Sequence, residues 1–384
     1  MLVTKPAPGL CEEVSEVISK MTNFKEEKEE EQIKGPFSNV ATEKVLEELE
    51  EFEACVGIRY GRYCFDTVNN IRESVPMMEW DNVIVNSVLG EGQFSFVFEV
   101  TMENQQQYAL KCLKAKAIKS TNDLRNNAMD LYTEAHILAK VDHPHIIQLN
   151  GISNRSLSDS FKSSTGGYFV VLDIMQETLR ERLDKWRDAP GFIAKWKALS
   201  KAAVSNRLRE VALPVADAMM YLHNRQIVLR DLKPENIGFE VATGRVKLFD
   251  FGLAREITLI KDGDVAGSIC YMAPEIMLGK GTFFASDVHS FSIVLWELCT
   301  LRIPLAPFMK MSQVIRKVAK GGWRPPVARI PSKLLRNLLR TSWAANPKYR
   351  PSFAEIIETL YQVIEKKEPL CQSEDTKSNS SSGW

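Results

Sequence analysis

One stretch constrains this chain more than any other: Leu229-Arg230-Asp231-Leu232-Lys233-Pro234-Glu235-Asn236, followed a short way downstream by Asp250-Phe251-Gly252. It sets a carboxylate, an ammonium, an amide and a second carboxylate close together. Apolar strand-like runs at 227–229 and 246–249 precede each part. The residue types suit phosphoryl transfer. A hydroxyl attacking the terminal phosphate of a nucleotide needs a carboxylate within reach to orient it and take its proton, a role open to Asp231. Lys233 can meet the charge of the moving phosphoryl group. Asn236 offers Mg²⁺ a neutral oxygen and Asp250 a charged one, and hard cations choose oxygen ligands. Taken singly, each piece is equally well a charged surface turn, because short motifs recur by chance.

The upstream residues supply what a nucleotide site also needs. Residues 83–89 read as a strand, Gly90-Glu91-Gly92-Gln93-Phe94-Ser95 as a tight turn, and 96–101 as the return strand. Glycines there let backbone amides approach phosphates. A dinucleotide fingerprint would need a helix after the turn, which strand-turn-strand order disfavours. On the next strand, 108–111, alternation puts Ala109 and Lys111 on one face. By itself Lys111 reads as a snorkelling surface lysine. In the helical run 130–141, however, Leu131, Glu134, Leu138 and Val141 share a face, which sets a carboxylate inside an apolar stripe. Such a group is costly without a partner, and Lys111 is the obvious one.

From Gly90 to Arg350 these motifs stand in the order of the eukaryotic protein kinases, which the chain resembles. The resemblance implies an α+β, two-lobed fold, with a β-rich nucleotide lobe at 81–175 and a larger helical lobe at 176–366. It implies ATP and Mg²⁺ as cofactors, with Asp231, Lys233, Lys111, Glu134 and Ser268 catalytic and Asn236 and Asp250 as metal ligands. Leu89, Gly90, Gly92, Val97, Ala109, Lys111, Leu172, Asp173, Met175 and Gly238 would hold the nucleotide. Leu172 would be a bulky gatekeeper, and the backbone of 173–175 the hinge that meets adenine.

The Asp-Leu-Lys-Pro-Glu-Asn spelling, and Ser268 in Gly-Ser-Ile-Cys-Tyr-Met-Ala-Pro-Glu, are the serine/threonine form of the family. They imply a protein substrate presenting a Ser or Thr hydroxyl. Trp323-Arg324-Pro325-Pro326 and the run 351–356 lean toward the tyrosine-kinase-like branch. Arg350 would pair with Glu275. Asp287 would cap the apolar helix 291–298 and also bond the catalytic-loop backbone. Arg230 before the catalytic Asp implies an activation segment that needs negative charge. Asp264, four residues before Ser268, could supply part of it, with Thr258 as the competing phosphosite.

Three departures keep a rival reading open, that of a pseudokinase serving as a nucleotide-binding or scaffold module. Leu229 replaces the usual histidine, Ser95 the third glycine, and Gly238 the aliphatic side chain that supports adenine, so a thin floor is expected there. None removes a charged or metal-binding group, and active transfer is the leading reading. A small-molecule kinase of this fold is disfavoured because the peptide-binding segment is complete.

The remaining features set boundaries. A chain of 384 residues suits one large two-lobed unit with extensions. Its 49 basic and 49 acidic residues cancel, so no whole-chain field recruits nucleic acid or an anionic membrane. Seven scattered cysteines without a C-x-x-C pair argue against a disulfide framework or zinc site. With neither a signal-like start nor a membrane-spanning run, the expected location is cytoplasmic or nuclear.

Residues 1–80 read as an acidic extension, disordered to about 40, with one helix at 42–53 whose Val45, Leu49 and Phe52 share a face. That helix either packs on its own domain or receives a partner. Residues 54–80 are expected to cover part of the domain. A strand is expected at 146–149, a loose insertion at 154–167, a strand at 168–172 and a basic helical segment at 177–205. A long helix is expected at 206–224 despite Pro214, a hairpin turning at Thr243-Gly244, and a disordered tail at 367–384.

Overall fold

The computed structural model describes residues 37, 39–63, 75–102, 105–162, 167–188, 200–261, 263–305 and 310–365, without the side chains of 57–63. Most of the expected disorder before residue 40, and the whole expected tail at 367–384, lie outside these residues. Phe37 does not fit that expectation: it is buried, edge-on to Phe161 with ring centroids 5.1 Å apart.

Helix α1 (Glu43–Tyr63) is followed by strands β1 (Met77–Met78), β2 (Ile84–Glu91), β3 (Ser95–Thr101) and β4 (Gln107–Leu113). Helix α2 (Thr121–Leu138), strand β5 (Leu149–Ser153), helix α3 (Leu157–Lys162) and strand β6 (Phe169–Leu172) complete the first lobe. Its six strands lie in the order β1-β5-β6-β4-β3-β2, antiparallel except where β1 meets β5. Alternation gives the sheet two apolar faces. Phe98, Val100, Leu110, Cys112, Phe169 and Val171 pack together on one. Val97, Ala109, Leu113, Val170 and Leu172 join the main core on the other, the side that carries Lys111. Helix α2 starts nine residues earlier than periodicity suggested, because Ser120 caps it by accepting from the Asp123 amide.

Two expectations for this lobe fail for one reason, that neighbouring elements select the structure. The strand expected at 146–149 begins only at Leu149. Before it, the Ile147 amide donates to the Leu248 carbonyl and the Leu248 amide to the His145 carbonyl, bonds that reach across to the other lobe. The expected loose insertion instead contains α3, whose Leu157 and Phe161 are buried. Glu53 of α1 accepts from the Leu157 amide at 2.9 Å, satisfying one of the donors left free at a helix start.

The second lobe starts with β7 (Met175–Thr178) and α4 (Leu179–Arg187), which opens on a capping box between Thr178 and Glu181. Residues 189–199 of the expected basic helical segment lie outside the described residues. Helices α5 (Lys201–Arg207) and α6 (Leu213–Asn224) are joined by a wider π turn, Leu208–Ala212. That turn explains how Pro214 is tolerated: the Leu213 amide reaches back five residues to Leu208, and this widening breaks the regular bonding ladder just where proline has no N–H to continue it.

There follow β8 (Ile227–Val228), β9 (Ile237–Glu240), β10 (Val246–Leu248), β11 (Arg255–Glu256) and α7 (Pro274–Met277). Helices α8 (Phe284–Thr300), α9 (Met311–Val314), α10 (Lys333–Ser342) and α11 (Phe353–Ile364) complete the lobe. Strands β7, β9 and β10 form a small antiparallel sheet, with the expected turn at Gly244, whose φ is +67°. Helix α8 is buried from Ser286 to Cys299 and forms the lobe's centre. No described helix is long and apolar enough to cross a membrane.

Candidate active site

Strand β8 delivers the chain to a loop that cannot follow ordinary backbone geometry, since Arg230 has φ of +71°. Asp287, near the start of α8, holds this turn by accepting from the Leu229 and Arg230 amides, both at 2.9 Å. His223 Nε2 lies 3.0 Å from the same carboxylate. Asp287 therefore bonds the loop as expected, but it does not cap its helix. At the helix start it is Ser286 Oγ that accepts from the Phe283 amide.

The loop gathers the predicted residues. Asp231 is buried, and its Oδ2 accepts from Lys233 Nζ at 2.6 Å and Asn236 Nδ2 at 3.1 Å. Its Oδ1 accepts from the Ser268 amide at 2.7 Å, while Lys233 Nζ also donates to Ser268 Oγ at 2.9 Å. The activation segment is thus fastened to the catalytic loop at Ser268. Gly267 makes the approach feasible: a Cβ there would stand 2.4 Å from the Arg230 carbonyl oxygen, and its φ is +109°. Sequence reasoning missed this glycine, and a Gly-Ser pair carries no signal of what will press against it.

Strand β10 leads into Phe249, whose amide donates to the Asn236 carbonyl and so sets Asp250 beside Asn236. From β4, Lys111 Nζ donates to Glu134 Oε2 at 2.6 Å and to Asp250 Oδ1 at 2.9 Å. Glu134 also accepts from the Phe251 amide at 3.1 Å, which ties α2 to the Asp-Phe-Gly turn. One ammonium thus serves two carboxylates. Burial opposes the charge on Lys111, but Asp250 and Glu134 together hold its ammonium above the ordinary lysine range. Lys111 holds Asp250 below the ordinary carboxylate value. Fully buried Glu134 is pushed up by burial, and Asp250's charge adds to the rise.

Among the residues expected to hold nucleotide, Leu89, Val97, Ala109, Leu172 and Met175 are all buried and belong to one apolar cluster. Gly90 lies on β2 opposite Val97, and the Gly92 amide donates to the Ser95 carbonyl at 2.8 Å to close the turn. A Cβ on Gly92 would stand 2.9 Å from Ser95 Oγ, so the serine at the third position already fills that space. The Asp173 carboxylate accepts from Lys247, Asn150 and the Gln148 amide, fixing the start of the hinge.

The thin adenine floor expected at Gly238 is not found. A Cβ there would stand 2.9 Å from both Met175 Cγ and Phe249 Cε1, so these two side chains already occupy the place an aliphatic residue would take. The other departure, Leu229, is buried in the same cluster as Phe251.

Other groups brace the lower lobe. Arg350 forms a fork with Glu275 at 2.7 and 2.8 Å, as expected. Arg180 of α4, which sequence reasoning did not single out, donates to Glu235, Glu297 and the Tyr271 hydroxyl. It ties the catalytic loop and the activation segment to α8. Burial pushes the Glu297 carboxyl up, and Arg180 pulls it part of the way back.

The donor chemistry fits the expected cofactors. Asn236 can offer a neutral oxygen and Asp250 a charged one, the donor types a hard divalent cation takes, and Lys111 beside Asp250 and Lys233 beside Asp231 bring positive charge for phosphates. The class these features define is the two-lobed phosphotransferases. The chain belongs to the protein kinase family, since the protein kinase domain model matches residues 83–362.

Its relatives include the proto-oncogene tyrosine-protein kinase ROS of Gallus gallus, 27% identical over 357 residues, which cover 88% of this chain and 14% of ROS. The serine/threonine-protein kinase STY17 of Arabidopsis thaliana is 33% identical over 262 residues, 67% of this chain and 41% of STY17. The dual specificity protein kinase shkD of Dictyostelium discoideum is 27% identical over 282 residues, 72% of this chain and 34% of shkD. The chain thus spans less than half the length of each of these three. Their mixture of types agrees with the tyrosine-kinase-like leaning of the 323–326 spelling.

Proposed function

We propose that this protein is an active ATP-dependent kinase of serine and threonine hydroxyls on proteins. The observation that carries the reading is the closed triangle of Asp231, Lys233 and Ser268, with Lys233 Nζ bonded to both partners and the Ser268 amide bonded to Asp231. In it a carboxylate is held by fixed donors, and the ammonium beside it would be within reach of the group being transferred.

An acceptor hydroxyl would donate its hydrogen bond to Asp231, which orients the oxygen and takes the proton as the new P–O bond forms and the bond from the γ-phosphorus to the bridging oxygen breaks, leaving the electron pair on ADP. Lys233 stabilises charge on the phosphoryl oxygens. Lys111, held by Glu134, aligns the phosphates nearer the nucleoside. Mg²⁺, held by Asn236 and Asp250, would supply neutralising charge at the phosphate oxygens. Two of the departures that support a pseudokinase reading lose force here: Leu229 is buried in the apolar core with Phe251, and Met175 and Phe249 fill the space at Gly238.

The test is to incubate the purified chain with labelled ATP, Mg²⁺ and a peptide library presenting Ser, Thr and Tyr. Label on Ser and Thr is expected. Label on Tyr alone would overturn the choice of acceptor, and neither transfer nor ATP hydrolysis would leave a nucleotide-binding scaffold.

A further inference from the structure

Glu134 must sit fully buried against Lys111 for the site to be assembled, yet a buried ion pair is a weak anchor because desolvation offsets much of its attraction. A helix carrying such a carboxylate gains hydration whenever it swings outward. Something outside the site has to hold α2 in, and the structure places α1 against it. Phe52 of α1 packs edge-on to Tyr132 of α2 with ring centroids 6.2 Å apart. Glu48 accepts from Arg125 Nη1 at 3.1 Å. Arg125 and Tyr132 lie about two turns apart on α2, so α1 grips it along its length, and Tyr132 is only two residues from Glu134.

The opposite edge of α1 is fastened to the body of the lobe. Glu53 accepts from the Leu157 amide at 2.9 Å, and Glu50 accepts from Ser158 Oγ at 2.8 Å and Lys162 Nζ at 3.0 Å. These partners are all on α3, which follows β5 directly and is continuous with the sheet. Between the two edges, Val45 and Leu49 are buried in the main core. The apolar stripe read in the sequence is thus covered by the chain itself.

We infer that α1 is a built-in positioning element: it ties α2 to the sheet through α3 and so holds Glu134 on Lys111. Phe52 and Glu48 are positioning residues that never touch the nucleotide. The inference takes from the proposed function only the assignment of Lys111 to the phosphates.

The experiment compares the full chain with Phe52→Ala, Phe52→Leu, Glu48→Arg, and Glu48→Arg combined with Arg125→Glu. Amide hydrogen exchange across residues 121–138 and across β3 and β4 is measured beside ATP turnover. In Phe52→Ala and Glu48→Arg, exchange is expected to rise in α2 while β3 and β4 stay protected. The kcat/KM for ATP should fall by about fivefold or more, a usual size for coupling between sites. Most of the loss should lie in kcat, because the residues assigned to adenine sit on other elements. Phe52→Leu and the charge-swapped pair should recover both readings.

Unchanged α2 exchange in Phe52→Ala would overturn the inference. Equal loss of protection in α2, β3 and β4 would also overturn it, reducing α1 to general stabilisation. Exchange needs no turnover, so a wild-type chain that transfers no phosphate would count against the proposed function and leave the positioning role to be decided by exchange.

Discussion

Adding a single methyl group at Gly238 separates two accounts of the nucleotide site. If the position were a gap under adenine, filling it would strengthen nucleotide binding by burying apolar surface. The structure gives the opposite sign. The new Cβ would lie 2.9 Å from Met175 Cγ and 2.9 Å from Phe249 Cε1, closer than Cβ atoms come to their neighbours, and a tight 3.1 Å from Met175 Sδ. Phe249 is buried directly before Asp250, so it has little room to yield, and the methionine must move.

Overpacking of this kind typically costs about 1–3 kcal/mol. In a domain this large, each 1 kcal/mol lowers Tm by roughly 2–4 °C. Because Met175, which opens β7, is one of the residues proposed to hold the nucleotide, its displacement should also weaken nucleotide binding. The assay is thermal unfolding together with titration of a fluorescent ATP analogue, on Gly238→Ala, Met175→Ala and the double variant. The double variant should be less impaired than the two single effects added, since the methionine that clashes is gone. Tighter nucleotide binding and an unchanged Tm in Gly238→Ala would refute the reasoning.

Asp231→Ala should lower phosphate transfer by about two to four orders of magnitude, as loss of a general base usually does. Asp250→Ala should do comparable damage by removing a proposed metal ligand and a partner of Lys111, and near-normal turnover in both would sink the assignment. Leu229→His should change kcat by less than about tenfold, or 1.4 kcal/mol in barrier. A large gain in turnover would mark the leucine as disabling. The structure also brings Asp264 to Arg230, at 2.8 Å, while Arg230 Nε lacks a hydrogen-bond partner. Asp264 is half-exposed but Arg230 is buried, so losing the carboxylate leaves a buried cation short of its partner, and Asp264→Ala should lower basal activity by about fivefold or more. Thr258→Ala should have little effect. Complete loss of wild-type activity on phosphatase treatment would refute a built-in acidic contribution.

Much of the site was legible in the sequence because the relevant periodicities are local. Alternation on β4 put Lys111 on the face of Ala109, and helical spacing put Glu134 in an apolar stripe. A carboxylate and an ammonium that must both be buried have few choices but each other. Likewise Asp231, Lys233 and Asn236 sit within one loop, where spacing alone limits how far apart they can be. The face of α1 that carries Val45, Leu49 and Phe52 was legible for the same reason.

What covers a face, or fills a gap, is decided by chain far away in sequence, and there local reasoning failed. Gly238 reads as an absence until Met175 and Phe249 are seen to fill it. Asp287 reads locally as a cap, and only the family resemblance gave the bonds to the loop's two amides, which claim its carboxylate. The serine-rich run after β5 reads as loose chain, yet the glutamates of α1 cap and pair its residues and turn it into a helix. Gly267 is needed only because the Arg230 carbonyl comes within reach of it. The sequence by itself determined which groups must be buried and which chemistry they can perform. The tertiary structure decided which neighbour meets each of them, because burial is a property of one residue's pattern whereas a contact depends on two distant stretches arriving together.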